Sequence, residues 1–455
     1  MKSALPLAVL LLATPAFAQT RADTETLEIA KRLIAFRSVQ GPGNQTPQAQ
    51  AYLKDLLVKG GIADVAVTPV DDTAMLLARW PGADPKLPPV IVSGHIDVVE
   101  AKPADWQRDP FTPVVENGYL YGRGATDMKL DAAMLVATVL DMKRAGYQPK
   151  RTIVLAFSGD EETTMKTSAM LAAQLKGGEL VLNIDGGGGL LEENGKPAYF
   201  TVSAAEKTYA DFKLEVTNPG GHSSAPRKVN AINQLAAALV KIGDHRFTPQ
   251  LSPITKAYFE GVAPRQTPEL GAAMKAFAAN PTDQKAIETL AASPAYVGQI
   301  GTTCVSTMIS GGHALNALPQ RATANINCRI FPGVKPAAVM AELQRVAADP
   351  AITFTDVSEG SNPTDGSPLR PDLMDAVKKA MTQVRPGVPV FPAMSAGASD
   401  SMHFRAAGVP SYGVSPTFIK ESDDFSHGLN ERNPVDNIPL AVRYYRSLLT
   451  DLTAK

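Results

Sequence analysis

The sequence predicts an α/β protein interrupted by a smaller inserted α+β unit. Three observations carry this. Apolar, β-branched runs at 89–92, 151–157 and 180–185 each end in a turn of small and polar residues, as strands of an open, largely parallel sheet do. Residues 208–361 run strand, helix, two strands, helix, strand, a split βαβ or ferredoxin-like order. From 362 the α/β character returns, so the smaller unit sits inside the larger one. The expected boundaries are 1–18 for an export signal, 19–207 and 362–455 for the two parts of the larger domain, and 208–361 for the insert. The insert carries an extra helical, irregular segment near 245–300.

Bulk composition agrees with two globular cores. The chain has 455 residues, 44% hydrophobic and 20% charged, with a formal net charge of -1. With no basic stripe, nucleic acid and polybasic membrane binding are excluded as expectations. Lys2, the apolar run 4–12 and Ala16-Phe17-Ala18 read as a signal cleaved near Gln19. That run is too short to span a bilayer. The mature chain is therefore expected in a periplasm or outside the cell.

Taken in order, Leu27, Ile29, Ala30, Leu33, Ile34 and Phe36 recur at helical period over 24–36. Thr46 and Pro47 start a second helix as cap and first residue, and Gly60-Gly61 ends it. Strands at 65–70, 74–80 and 89–92 follow, the third leading into a turn with His95 and Asp97. Asp127 stands ahead of a long apolar helix, 130–145; taken alone it reads as a helix cap, the alternative being a ligand on an irregular turn. Strand 151–157 leads to Asp160, Glu161 and Glu162, a cluster costly to desolvate unless a positive charge is near. The next strand leads to Asp185 and four glycines.

The insert begins with strand 210–217 and a turn carrying His222. Helix 230–242, strands 302–310 and 321–330, helix 335–347 and strand 352–357 complete it. If the two middle strands form a symmetric hairpin, residue 304 falls opposite residue 328, where β-carbons are close enough to bridge. Cys304 and Cys328 are then a disulfide, as an oxidising compartment favours, or two small buried thiols. Helix 373–384, a small-residue turn at 396–400, a short helix 401–407, strand 411–414, the polar loop 426–431 with His427, and helix 440–452 close the chain.

His95, Asp127, Glu162, Asp185 and His427 make a set of two histidines and three carboxylates. Such a set can hold two ions, one carboxylate being shared. Two ions about 3.5–4 Å apart that share a water form a hydrolytic arrangement. Nitrogen and oxygen donors without thiolate suit zinc and also accept cobalt or manganese. Asp97 can hold the ring of His95, and Glu161 can take the proton of the shared water.

The motifs S-G-H-I-D-V-V (93–99), G-R-G-A-T-D-M-K (122–129), S-G-D-E-E-T (158–163), N-I-D-G-G (183–187), G-G-H-S-S-A-P (220–226), N-A-L-P (316–319) and S-H-G-L-N-E (426–431) together resemble those of the M20 metallopeptidases. That family includes aminoacylases, carboxypeptidases, dipeptidases and deacetylases. The long segment before the central strands is similar to that of the carboxypeptidase S-like branch. The resemblance implies a zinc-peptidase-like catalytic domain with an inserted lid or dimerisation domain. It implies one zinc on His95, Asp127 and Asp185 and another on Asp127, Glu162 and His427, with Glu161 as general base and acid and Asp97 supporting His95. His222 would stabilise the oxyanion, often from the partner subunit of a homodimer, and Asn316 and Arg329 would face the substrate. The expected activity is amide hydrolysis of small peptides with a free C-terminus, with N-acyl amino acids as the alternative substrate. A non-catalytic peptide- or metal-binding protein is disfavoured by Glu161. One departure stands out. Where many relatives carry arginine in G-x-x-D-x-R, this chain has Met402, followed by His403, which is expected to be a surface helix residue.

Overall fold

The computed structural model describes residues 20–454, so the expected export signal lies outside the described residues. A ten-stranded sheet forms the larger body. Its strands run in the order Asp64–Val70, Thr73–Trp80, Ile153–Ser158, Val90–His95, Leu180–Asn183, Ser411–Gly413, Pro197–Glu206, Gly188–Leu191 and Phe418–Lys420, and Val390–Ser395 also pairs with Pro197–Glu206. Val90–His95 is parallel to both Ile153–Ser158 and Leu180–Asn183. Their carboxyl ends therefore lie along one edge, where open α/β sheets place ligands.

Both faces of this sheet are covered, which explains why its strands are apolar throughout. Val90, Val92, Leu155 and Leu182 turn toward helices Arg21–Ile34, Lys129–Arg144, Pro371–Val384 and Asn437–Thr453. Ile91, Val154 and Val181 turn the other way, onto Leu171, Ala172 and Phe404 of two shorter helices. Helix Lys129–Arg144 is buried on nearly every side, so it has no polar stripe for periodicity to detect. Its buried Lys129 is satisfied by the carbonyl of Phe36 at 2.9 Å.

Residues 208–356 include a separate four-stranded antiparallel sheet, ordered Thr303–Gly311, Arg321–Ile330, Thr208–Thr217, Ile352–Asp356. This is the ferredoxin-like strand order. One face packs Phe212, Leu214, Ile326 and Ile330 under helices Ala231–Asp244 and Pro336–Ala347. Each such side chain contributes roughly 1.5–3 kcal/mol when fully buried. Cys304 lies opposite Cys328 as expected, but the hairpin is not symmetric: a bulge between Ser306 and Met308 shifts its register by one residue, and the two cysteines are joined as a disulfide.

The segment expected near 245–300 is helical, but it does not belong spatially with the small sheet. Phe259, Met274 and Phe277 from its helices form their own core, which closes against Tyr199 and Phe391 of the large sheet. Thr46 is not the cap of its helix. Gln45 occupies that position, and the Thr46 hydroxyl donates to Asn44. Pro197–Glu206, a long strand at the heart of the sheet, left no alternating pattern because Ser203, Ala204 and Ala205 are all buried.

Candidate metal centre

His95 is the last residue of its strand, only 1% exposed. Glu161 and Glu162 follow the end of Ile153–Ser158, and Asp185 follows Leu180–Asn183. The parallel edge therefore delivers four of the predicted groups to one place. Asp127 comes from the glycine-rich loop ahead of helix Lys129–Arg144, and His427 from the loop at 426–431.

The loop carrying Asp127 is tied to a residue far along the chain. Glu431 accepts the backbone N–H groups of Thr126 at 2.7 Å, Asp127 at 2.9 Å and Gly124 at 3.0 Å. Its remaining charge pairs with Arg123 at 2.7 Å. Gly124 has φ +89°, and a Cβ there would meet Lys129 at 2.8 Å, so glycine is required. Asp127 does not cap the helix: the cap position is Met128, which makes no side-chain capping bond.

Asp127 instead faces two histidines, one with each oxygen. His95 Nε2 lies 3.0 Å from Oδ1, and His427 Nε2 lies 3.1 Å from Oδ2. His427 Nε2 is also 3.0 Å from Glu162 Oε1, and His95 Nε2 is 3.8 Å from Asp185 Oδ2. The groups His95, Asp127, Asp185 and Asp127, Glu162, His427 each bring their ligand atoms within 4.8 Å of one another. A third such group joins His95, Glu161 and Glu162. Asp127 thus has the geometry of a carboxylate shared between two cations.

Asp97 supports both sides of this arrangement. Its main-chain carbonyl lies 3.0 Å from His95 Nδ1, with its carboxylate at 3.5 Å. This leaves Nε2 aimed at the centre. The other oxygen of that carboxylate accepts the N–H of Glu162 at 3.0 Å.

The electrostatics fit a cation. Burial, then the charge of Asp127, pushes Asp185 well above the usual carboxyl range. Burial, then Asp185 and the other nearby carboxylates, does the same to Glu161, although His95 opposes it. Hydrogen bonds to Asp127 and Glu162 push His427 up to about 10. Burial alone would lower His95, but its bonds to Asp127 and Asp97 outweigh that and raise it. So many carboxylates in one buried place need protons or metal to offset them. The imidazole and carboxylate donors fit two zinc-type ions, and equally cobalt or manganese.

A cavity of about 600 Å³ opens from this cluster. It is lined by Glu161, Glu162 and His427, by Tyr209, Asp211 and Arg329 of the small sheet, and by the apolar side chains of Met165 and Met402. Arg329 makes no ion pair with the described residues; its guanidinium lies 4.9 Å over the ring of Tyr209. His222 and Asn316 are exposed neighbours, linked by the Ser223 N–H to the Asn316 carbonyl at 3.0 Å. Neither lines the cavity. The Ser224 N–H donates to His222 Nδ1 at 3.1 Å, which leaves Nε2 as the ring's donor.

Three residues here escaped the sequence reading. Arg123 and Glu431 stand inside recognised motifs but had no assigned role. Asp400 lies within the small-residue turn, is buried, and accepts from Ser158 Oγ at 2.7 Å. Burial pushes it up to about 6. His403 differs from expectation: it is partly buried, burial lowers its pKa, and its Nε2 is buried without a hydrogen bond among the described residues.

Comparison with known proteins finds related hydrolases. A "Probable carboxypeptidase S-like 2" of Dictyostelium discoideum is 28% identical over 385 residues, 82% of this chain and 73% of that protein. The "N-fatty-acyl-amino acid synthase/hydrolase PM20D1" of Mus musculus is 29% identical over 386 residues, 80% of this chain and 74% of that protein. The structure of an M20 family metallo-carboxypeptidase from Sulfolobus solfataricus superposes with a TM-score of 0.72 at 18% identity, covering 93% of this chain and 98% of that one. The model for peptidase family M20/M25/M40 matches residues 91–451, a span that contains every candidate ligand, and the chain belongs to that family of metallohydrolases.

Proposed function

We propose that this chain is an exported dizinc hydrolase that cleaves the amide bond of small peptides with a free C-terminus. The observation that carries the reading is Arg329, a cation with no ion pair among the described residues, in the same cavity as Glu161. One zinc would be held by His95, Asp127 and Asp185, and the other by Asp127, Glu162 and His427. When bound, the pair supplies Lewis acidity to the scissile carbonyl and lowers the pKa of water.

The chain's own residues do the rest. Arg329 receives the substrate carboxylate through two parallel N–H donors. Glu161 takes a proton from the attacking water and returns it to the leaving amine nitrogen, a role that suits a buried carboxyl with a raised pKa. His222 Nε2 donates to the carbonyl oxygen as charge develops there. Because His222 lies outside the cavity, it reaches the substrate from a second subunit or after the small domain closes as a lid. Val305, Met308 and Ile309 are exposed on the edge strand Thr303–Gly311, which supports a homodimer through that edge. The signal-like pattern of Lys2, the apolar run 4–12 and Ala16-Phe17-Ala18 supports a reaction in a periplasm or outside the cell.

A second reading, hydrolysis of N-acyl amino acids, is favoured by Met165 and Met402, whose apolar side chains in the cavity lining suit an acyl chain. Measuring bound metal, and cleavage of dipeptides against N-acyl amino acids, tests both readings. Two zincs per chain are expected. Glu161→Gln should keep the metal and lose roughly 10²–10⁴-fold in turnover. No cleavage after zinc is restored would leave only a binding protein.

A further inference from the structure

Tyr209 and Arg329 are register partners on adjacent strands of the small sheet. Asp211 lies two residues beyond Tyr209, on the same face, and diagonal to Arg329. Diagonal neighbours are within reach of a side chain as long as arginine. A half-buried arginine beside a carboxylate would ordinarily pair with it. Here it does not.

The reason is that Asp211 is already engaged. The Tyr209 hydroxyl donates to Oδ2. Asn325 Nδ2 donates to Oδ1 at 2.6 Å and Asn327 Nδ2 to the same oxygen at 3.1 Å. Asn325, Asn327 and Arg329 alternate along one face of strand Arg321–Ile330, so a single stripe carries the whole network. Burial opposes ionisation of Asp211, but the three donors, with the nearby charge of Arg329 adding, outweigh it and hold the carboxyl below its usual range. The guanidinium is left over the Tyr209 ring, with no hydrogen bond or ion pair among the described residues.

We propose that Tyr209, with Asn325 and Asn327, occupies Asp211 and so keeps Arg329 unpaired for the substrate carboxylate. These are positioning residues, and the proposal rests on the reading of Arg329 as the carboxylate receptor. Tyr209→Phe keeps the ring under Arg329 but frees one oxygen of Asp211, which then competes with substrate for the guanidinium. Asp211→Asn added to that variant removes the competing charge.

The experiment uses the metal-loaded full chain, with whichever dipeptide or N-acyl amino acid it cleaves and the C-terminal amide of that substrate. Tyr209→Phe should raise KM for the free carboxylate about tenfold, the scale of one charge-assisted contact, with kcat changed less than about twofold. The amide's KM should not move. The double variant should return KM to within about twofold of the parent, the coupling expected of residues that share one interaction. A merely structural role for Tyr209 would not be rescued by a second substitution. An unchanged KM in Tyr209→Phe, or a double variant no better than the single one, overturns the proposal. Arg329→Ala separates the two levels. If it raises KM while Tyr209→Phe does nothing, only the network fails; if it leaves KM unchanged, the carboxylate reading and the network fall together.

Discussion

Arg123 and Glu431, 308 residues apart in sequence, form a buried ion pair at 2.7 Å that holds the loop carrying Asp127. Glu431 is fully buried and Arg123 is 3% exposed. Both charges are out of water, so their value depends on completeness. Glu431 meets the guanidinium and three backbone N–H groups, and Arg123 also donates to the carbonyl of Gly428 at 3.2 Å. This joins the loop that presents Asp127 to the loop that presents His427.

Glu431→Gln leaves Arg123 buried and unpaired. Breaking a buried pair on one side costs about 3–5 kcal/mol. The expected result is a lowered thermal midpoint and weaker metal retention on dialysis, even though neither residue is a candidate ligand. Normal metal content with normal stability would refute the role given to this pair.

Asp127 offers one oxygen to each histidine, so its loss should affect both ions. Asp127→Asn is expected to reduce bound metal below one ion per chain, whereas Asp185→Asn or Glu162→Gln should spare one. Metal content per chain, measured after gel filtration, decides this. Chelation of the parent should lower its thermal midpoint, because binding to the folded state alone stabilises it.

The Cys304–Cys328 disulfide closes a loop across a sequence separation of 24. Loop-closure entropy for that length is worth about 3.5 kcal/mol. Cys304→Ser with Cys328→Ser should therefore melt earlier than the oxidised parent. Adding reductant should destabilise the parent and leave the double variant unaffected.

Lys207 stands where the chain leaves the large sheet for the small one. Its buried ammonium donates to the Gly301 carbonyl at 2.8 Å and to Thr303 Oγ1 at 3.2 Å. Burial, with Arg329 adding, pushes its pKa down to about 7. The unfolded chain keeps that proton up to about pH 10.4, so it binds more protons than the folded one in between. Stability therefore rises with pH from about 7 toward 10, by at most about 1.4 kcal/mol per unit from this group. Lys207→Met should lack this component when denaturation midpoints at pH 7 and 9 are compared with the parent.

Much of this protein is determined locally and is legible in its sequence. The apolar strand Val90–His95 ends on a candidate ligand because a parallel strand buried on both faces must be apolar until it emerges at the sheet edge. The same logic placed Glu162 and Asp185. Cys304 opposite Cys328 was expected from a symmetric hairpin, but the structure reaches that pairing through a bulge between Ser306 and Met308 that shifts the register by one residue. Contacts between distant segments were decided only by the tertiary structure. Glu431 serves backbone groups, which leave no residue-type signal, and its partners lie some 300 positions earlier. The helices of 253–297 carry an ordinary apolar face, and nothing in that pattern says it will close on Tyr199 and Phe391 rather than on the small sheet. Arg329 is a strand residue like many others until Tyr209 and Asp211 are seen beside it. Periodicity encodes which face of an element is buried; only packing selects what that face meets, because many apolar surfaces would satisfy it equally well.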